Sequence, residues 1–171
     1  MHPAQIPEDP REAEDPIAYV TRLAREKAEV VYKEIAARAE VDDGLVVLGA
    51  DTTVTLDNHI LGKPEDAEDA ARMLRMLSGR SHHVITGVAV VTSHRAEVAA
   101  EVTAVRFLTL TDEEIVAYVA SGEPMDKAGA YAIQGLAARW IPRVQGCYFN
   151  VVGLPIALVS TLLEGTSIAG A

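Results

Sequence analysis

The chain of 171 residues carries a single cysteine, Cys147. No intramolecular disulfide can staple it, and no Cys/His quartet at zinc-ligand spacing exists. A reducing cytosol is the expected setting. A secretory start is also lacking: Met1 to Arg11 holds acids and three prolines where a signal peptide needs a basic start and an apolar run. No later stretch reaches membrane-spanning length uninterrupted, so the expectation is a soluble cytoplasmic protein with no membrane partner. Positive charge is scarce. Fifteen Lys and Arg face twenty-five Asp and Glu, a formal net charge of -10, which disfavours nucleic acid as a partner, as does the lack of a basic, aromatic-rich motif. A small phosphorylated ligand remains open if a few lysines gather in one cleft. The standard phosphate signatures are absent too: there is no GxGxxG, and Lys63 is no Walker lysine, because Pro64 stands where Ser or Thr is required. Neither a Ser-His-Asp nor a GxSxG pattern appears, which argues against covalent catalysis.

What is present suits one packed domain covering residues 1–171. Hydrophobic residues make up 49% and charged residues 23%, enough for a core and too apolar for disorder. His2 to Glu14, rich in proline and charge, reads as a loose arm unless something holds it. Asp15-Pro16 opens a helix, with Asp as N-cap and Pro at the first helical position. Ile17, Val20, Leu23, Ala24, Ala28 and Val31 share one face at spacings of three and four, with Arg22, Glu26 and Lys33 away from it. The helix is expected to end near Ala37, before a turn at Asp42-Asp43-Gly44. Leu45 to Ala50 reads as a strand buried on both faces and ending at Asp51. Thr52 to Leu56 follows as a second strand, with a turn at Asp57-Asn58. A helix from about Ala67 buries Ala70, Met73, Leu74 and Leu77 and stops at Ser78-Gly79. Val84–Thr92 and Ala96–Leu108 predict paired antiparallel strands, and Thr111 to Glu114 a capping box. Met125 to Gly135 reads as a loop, Trp140–Val144 and Tyr148–Val152 as a last strand pair, and Pro155–Leu163 as a closing helix. The fold class is α/β, a mixed sheet flanked by helices.

The most informative local arrangement is Gly49-Ala50-Asp51-Thr52. An acid where a buried strand emerges can hold a divalent metal or take a proton from water; the structural alternative is a loop cap or a salt bridge to a helix. Lys27, Lys63 and Lys127 stand beside small or turn-forming residues, so each is either a point charge for phosphate oxygens or a solvated surface charge. His82 and His83 are neighbours in a strand and point to opposite faces, which prevents their sharing one ion. Cys147 reads as a packed thiol. Gln134 can both donate and accept, which suits a base edge or a loop brace.

Taken in order, Gly49-Ala50-Asp51-Thr52, Ile60 to Pro64, Leu77 to Arg80 with His82, Gly122 to Tyr131, Ile133-Gln134-Gly135 and Val151 to Pro155 resemble the Maf family of nucleoside triphosphate pyrophosphatases, from about Ile6 to Leu163. The resemblance implies a fold like that of inosine triphosphate pyrophosphatases, a divalent cation (Mg2+ or Mn2+), a homodimer, and hydrolysis of a triphosphate to its monophosphate and pyrophosphate. It implies Asp51 as general base, Glu8 as the acid that shares the metal with it, and Lys27 and Lys63 as active-site lysines. Thr52 and Gln134 match positions linked to substrate choice; from its chemistry, Lys127 is expected to join Lys27 and Lys63 in holding phosphate oxygens. Asp126 to Gly135 is similar to the branch that acts on dTTP and UTP, limiting noncanonical nucleotides. One departure is marked: family members start with a strand leading into Ser-x-Ser-Pro-Arg-Arg, and nothing before Glu8 resembles it. Either the true start lies upstream or the chain is an N-terminally shortened, weakly active or inactive form. The alternative function is a nucleotide-binding regulator of cell division and septum formation. The shortened form should also aggregate along the strand edge at Leu45 to Ala50.

Overall fold

The computed structural model describes residues 2, 4, 6–38 and 44–165. Its first helix, α1, spans Pro16–Arg38. The Asp15 carboxylate accepts from the backbone N–H groups of Ile17 and Ala18 at 2.9 and 3.1 Å, satisfying donors that a helix start leaves orphaned. Val20, Leu23, Ala24, Ala28 and Val31 are buried as their spacing requires, together with Tyr19, while Ile17 stays 44% exposed. Asp42 and Asp43 lie outside the described residues.

Strand β1 runs unbroken over Val47–Leu56, so Asp51 stands in mid-strand and not at a strand end. The expectation of burial on both faces fails at Val46 and Leu48, each 39% exposed. Asp57 and Asn58, at φ 50° and 64°, make the left-handed two-residue turn that suits a hairpin, and β2 returns over His59–Leu61. Helix α2, Ala67–Leu77, is capped by Asp66 and buries Ala70, Met73, Leu74 and Leu77. Strands β3, Ser81–Val91, and β4, Ala96–Arg106, pair along their whole length. Helix α3, Asp112–Ala120, starts on the Thr111–Glu114 capping box.

The sheet order is β2-β1-β3-β4-β5, with β5 at Arg143–Gln145. Every pairing among the described residues is antiparallel, a correction to the mixed sheet expected. The β1–β2 hairpin reverses the chain before α2, so β3 enters beside the end of β1, with His83 opposite Thr55 and Val91 opposite Val47. Among the described residues, β1 from Val47 to Thr53, beyond the three residues that β2 covers, has one paired edge.

Tyr148–Val152 is a helix, α4, not a strand. Its composition is strand-like, but the Asn150 side chain points inward and donates to the Val84 carbonyl and the Thr103 hydroxyl, both at 2.9 Å. A buried amide must find partners, and the helical turn is what brings Asn150 to them. The Trp140–Val144 strand also contracts, to β5 alone, because Leu136–Trp140 is a 3-10 turn. The last helix, α5, spans Ile156–Glu164.

Helix α1 packs on one sheet face. It sits close because Gly49 and Gly87 have no side chain: a Cβ at either would collide with the carbonyl oxygen of Ala24 or Val20. The other face carries the larger core, where Val54, Leu56, Val84 and Val105 meet α2, α3 and the aromatics Phe107, Tyr118, Tyr131 and Trp140.

Candidate active site

The close approach of α1 places the site. Gly49 and Asp51 are two apart in β1 and face the same side. With Ala24 pressed against Gly49, the helix carries Lys27 over Asp51. The Lys27 Nζ donates to Asp51 Oδ1 at 2.6 Å and pairs with Glu8 Oε1 at 2.6 Å. Glu8 comes from the segment before α1, which is not a loose arm. Tyr19 donates its hydroxyl to the Glu8 carbonyl at 2.8 Å. Arg22 grips Glu14 through two hydrogen bonds, 2.7 and 2.8 Å, and reaches the Asp9 carbonyl at 3.3 Å. The Arg22 guanidinium hydrogen-bonded to Glu14 holds that carboxyl down at about 2.

These groups open onto a cleft of about 790 Å³ beside β1. Its lining includes Glu8, Lys27, Asp51, Thr52, Lys63 and Lys127, residues far apart in the chain. Gln134, by contrast, is exposed and outside the cleft lining. Lys63 and Lys127 arrive on loops that are tied to each other, since the Gly129 N–H donates to the Gly62 carbonyl at 3.0 Å. Gly129 adopts φ 67°, and a Cβ there would strike Val54. Lys127 pairs with Asp126 at 2.7 Å; among the described residues Lys63 has no ion-pair partner. Thr52 shares a 2.9 Å hydrogen bond with the Thr86 hydroxyl and reaches the Gly153 carbonyl at 3.4 Å.

Burial is the largest influence on Asp51 and raises its pKa against the opposing pull of Lys27, so the carboxylate is a better base than a free one. Burial acts to lower the Lys27 pKa, but hydrogen bonds and charge from Asp51 and Glu8 outweigh it and the ammonium is held charged. As a cation site, the donor set is small. No group of three or more His, Cys, Asp or Glu gathers among the described residues. Glu8 and Asp51 nonetheless converge on one positive centre, and a pair of carboxylates fits a cation such as Mg2+ that keeps waters and takes its other ligands from phosphate oxygens.

His82 and His83 do face opposite ways. His82 is buried, bonded through Nε2 to the Tyr131 hydroxyl at 2.8 Å, while His83 is exposed. Cys147 is half-buried. The braces Tyr19, Arg22–Glu14 and Tyr131 had no local signal in the sequence. Arg22 reads as a solvent-facing helix residue until the preceding segment folds back on it.

Two carboxylates around one ammonium, with two more lysines lining a cleft of this size, define an α/β domain whose site suits a polyphosphate carried with a cation. The chain belongs to the Maf family: the family model described as Maf-like protein matches residues 1–166. A protein of Koribacter versatilis named dTTP/UTP pyrophosphatase is 49% identical over 164 residues, covering 96% of this chain and 81% of that protein. A protein of the same name from Citrifermentans bemidjiense is 50% identical, covering 95% and 81%. Another of that name, from Shigella sonnei, is 52% identical over 85% of this chain and 71% of its own length. No helix among the described residues is long and apolar enough to cross a membrane.

Proposed function

We propose that this chain hydrolyses dTTP and UTP to the nucleoside monophosphate and pyrophosphate. The observation that carries the reading is the convergence of Glu8, Lys27 and Asp51 in a cleft whose lining also includes Lys63 and Lys127. Relatives named dTTP/UTP pyrophosphatase, about half identical along nearly all of this chain, supply the substrate class.

In this reading Asp51 takes the proton of the attacking water as its oxygen bonds to the α-phosphorus. The bond from that phosphorus to the α-β bridging oxygen breaks, and pyrophosphate leaves with the oxygen. The raised basicity of Asp51 favours the transfer. Lys63 and Lys127 hold phosphate oxygens as point charges, and Lys27 keeps the two carboxylates together. Glu8 and Asp51 would hold Mg2+ or Mn2+, which when bound neutralises phosphate charge. Thr52, in the cleft wall, and Gln134, outside its lining, are the residues assigned to substrate choice. A homodimer and a cytoplasmic location complete the reading, and light scattering and cell fractionation test them.

Pyrophosphate release is to be measured with dTTP, UTP, CTP and 7-methyl-GTP, with and without Mg2+ or Mn2+. Turnover of dTTP and UTP above the other two, dependent on the cation, is expected. Absence of turnover on all four, or preference for 7-methyl-GTP, would overturn the assignment.

A further inference from the structure

The segment from Glu123 to Leu136 leaves α3, passes along the cleft and returns to the core. Its ends are joined by one side chain. The Glu123 carboxylate accepts from the Leu136 backbone N–H at 3.0 and 3.1 Å, one bond to each oxygen. Glu123 Oε1 also accepts from the Tyr118 hydroxyl at 2.7 Å. That same hydroxyl accepts from the Ala132 N–H at 3.1 Å. A single carboxylate therefore closes a loop whose middle carries Lys127 and Tyr131 into the cleft.

Gly135 explains itself through this contact. Its backbone, φ -104° and ψ -152°, is open to any residue, so no left-handed turn demands glycine there. The three heavy atoms nearest to a Cβ at Gly135 are the carboxylate atoms of Glu123, all too close for a real side chain. Glycine is required so that the Glu123 carboxylate can lie against the chain. Within the loop, the Gly129 bond to the Gly62 carbonyl transmits the placement to Lys63, and the Tyr131 bond to His82 fixes the floor.

We infer that Glu123 is a positioning residue for the phosphate-binding wall: its carboxylate, seated on Gly135, closes the 123–136 loop and so sets Lys127 against Lys63. This rests on the proposed function for the role of Lys127, and deepens it by adding a residue that never touches substrate. The carboxylate acts as an acceptor of backbone and phenol hydrogens, which a charge-assisted bond makes stronger than a neutral one.

Two variants remove the clasp by different means. Glu123→Ala deletes the carboxylate, and Gly135→Ala keeps the carboxylate but evicts it from its seat. Each should raise KM for the nucleoside triphosphate about tenfold with a smaller change in kcat, as a displaced binding group does. Glu123→Gln, which keeps one acceptor oxygen, should recover part of the loss. Amide exchange at Ala132 and Leu136 should quicken in both alanine variants. With Lys127→Ala added to Glu123→Ala the KM effects should fall well short of additive, because Glu123 acts chiefly through Lys127. If Glu123→Ala and Gly135→Ala keep the wild-type KM while Lys127→Ala raises it, the inference fails and the functional reading stands. If Lys127→Ala itself leaves KM unchanged, the phosphate role of Lys127 fails, and the clasp's part in binding fails with it. Fully additive effects would show Glu123 acting on the fold at large and would also overturn it.

Discussion

The two walls of the cleft are built differently. One is borne on regular elements: Lys27 on α1, Asp51 in β1, and Glu8 tied down by Tyr19 and by the Arg22–Glu14 pair. Its one ammonium already serves both carboxylates, and Asp51 and Lys27 are 10% and 21% exposed at their side chains. The other wall is loop, and its shape comes from backbone contacts at Gly129 and Gly62 and from the Glu123 clasp. Its cations are less committed: Lys63 is exposed, and among the described residues Lys127 pairs with its neighbour Asp126 alone. The difference separates two tasks. A base must be held rigidly and kept from bulk water for its basicity to rise. Cations that receive a highly charged ligand work best unpaired and reachable.

The sharpest challenge to this division is Asp51→Asn. It should lower kcat by about a thousandfold with little change in KM, the size of a lost general base; steady-state pyrophosphate release measures it, and near-normal turnover would break the contrast between the walls. Lys63→Ala should cost roughly a hundredfold in kcat/KM, the scale of one lost donor to developing charge. A loss confined to kcat, with affinity for the triphosphate kept in calorimetry, would move Lys63 to the catalytic wall.

Stability should report on the first wall in a way the second does not show. Arg22→Met strands Glu14 nearly buried and releases the segment holding Glu8. It should lower the melting temperature by roughly 5 °C and also reduce kcat/KM. A melt shift with unchanged kinetics would mean the Arg22 brace does not reach Glu8.

The smallest effect concerns acid. Burial lowers the His82 pKa from 6.5 to about 3, so it folds neutral. A base with a depressed folded pKa contributes its full stability above its unfolded pKa and loses it as pH falls. Loss should begin below pH 6.5. Glu14, lowered from 4.5 to about 2, adds a further loss that begins below pH 4.5. Thermal melts of His82→Gln, which can still bond Tyr131, should be flatter than wild type between pH 6.5 and 4.5 and steepen below. Parallel curves would exclude His82 as the titrating group.

Much of this architecture is readable along the chain. The face of α1, the caps of α2 and α3 and the Asp57-Asn58 turn follow from contacts within a few residues, where spacing and side-chain chemistry leave few options. The errors lie where distant partners outweigh local preference. Tyr148 to Val152 has strand composition, yet the buried Asn150 amide finds its partners on β3 and β4 only from a helix. Asp51 looks like a strand terminus because Asp and Thr punctuate an apolar run, but β3 pairs straight through it.

For the site, the acid and the lysines can be picked out from residue type and from the order of motifs that resemble the Maf family. Their assembly cannot be, because Lys27 and Asp51 are 24 residues apart in the chain. Their contact depends on two glycines letting a helix lie against a sheet. Short-range propensities and periodicity suffice for α1, α2, α3, α5 and most strands, and the resemblance of the ordered motifs to the Maf family supplies the candidate chemistry. Which carboxylate meets which lysine, that Gln134 lies outside the cleft lining, and that Glu123 closes the lysine loop were settled by packing, since those contacts join segments that meet only in the folded chain.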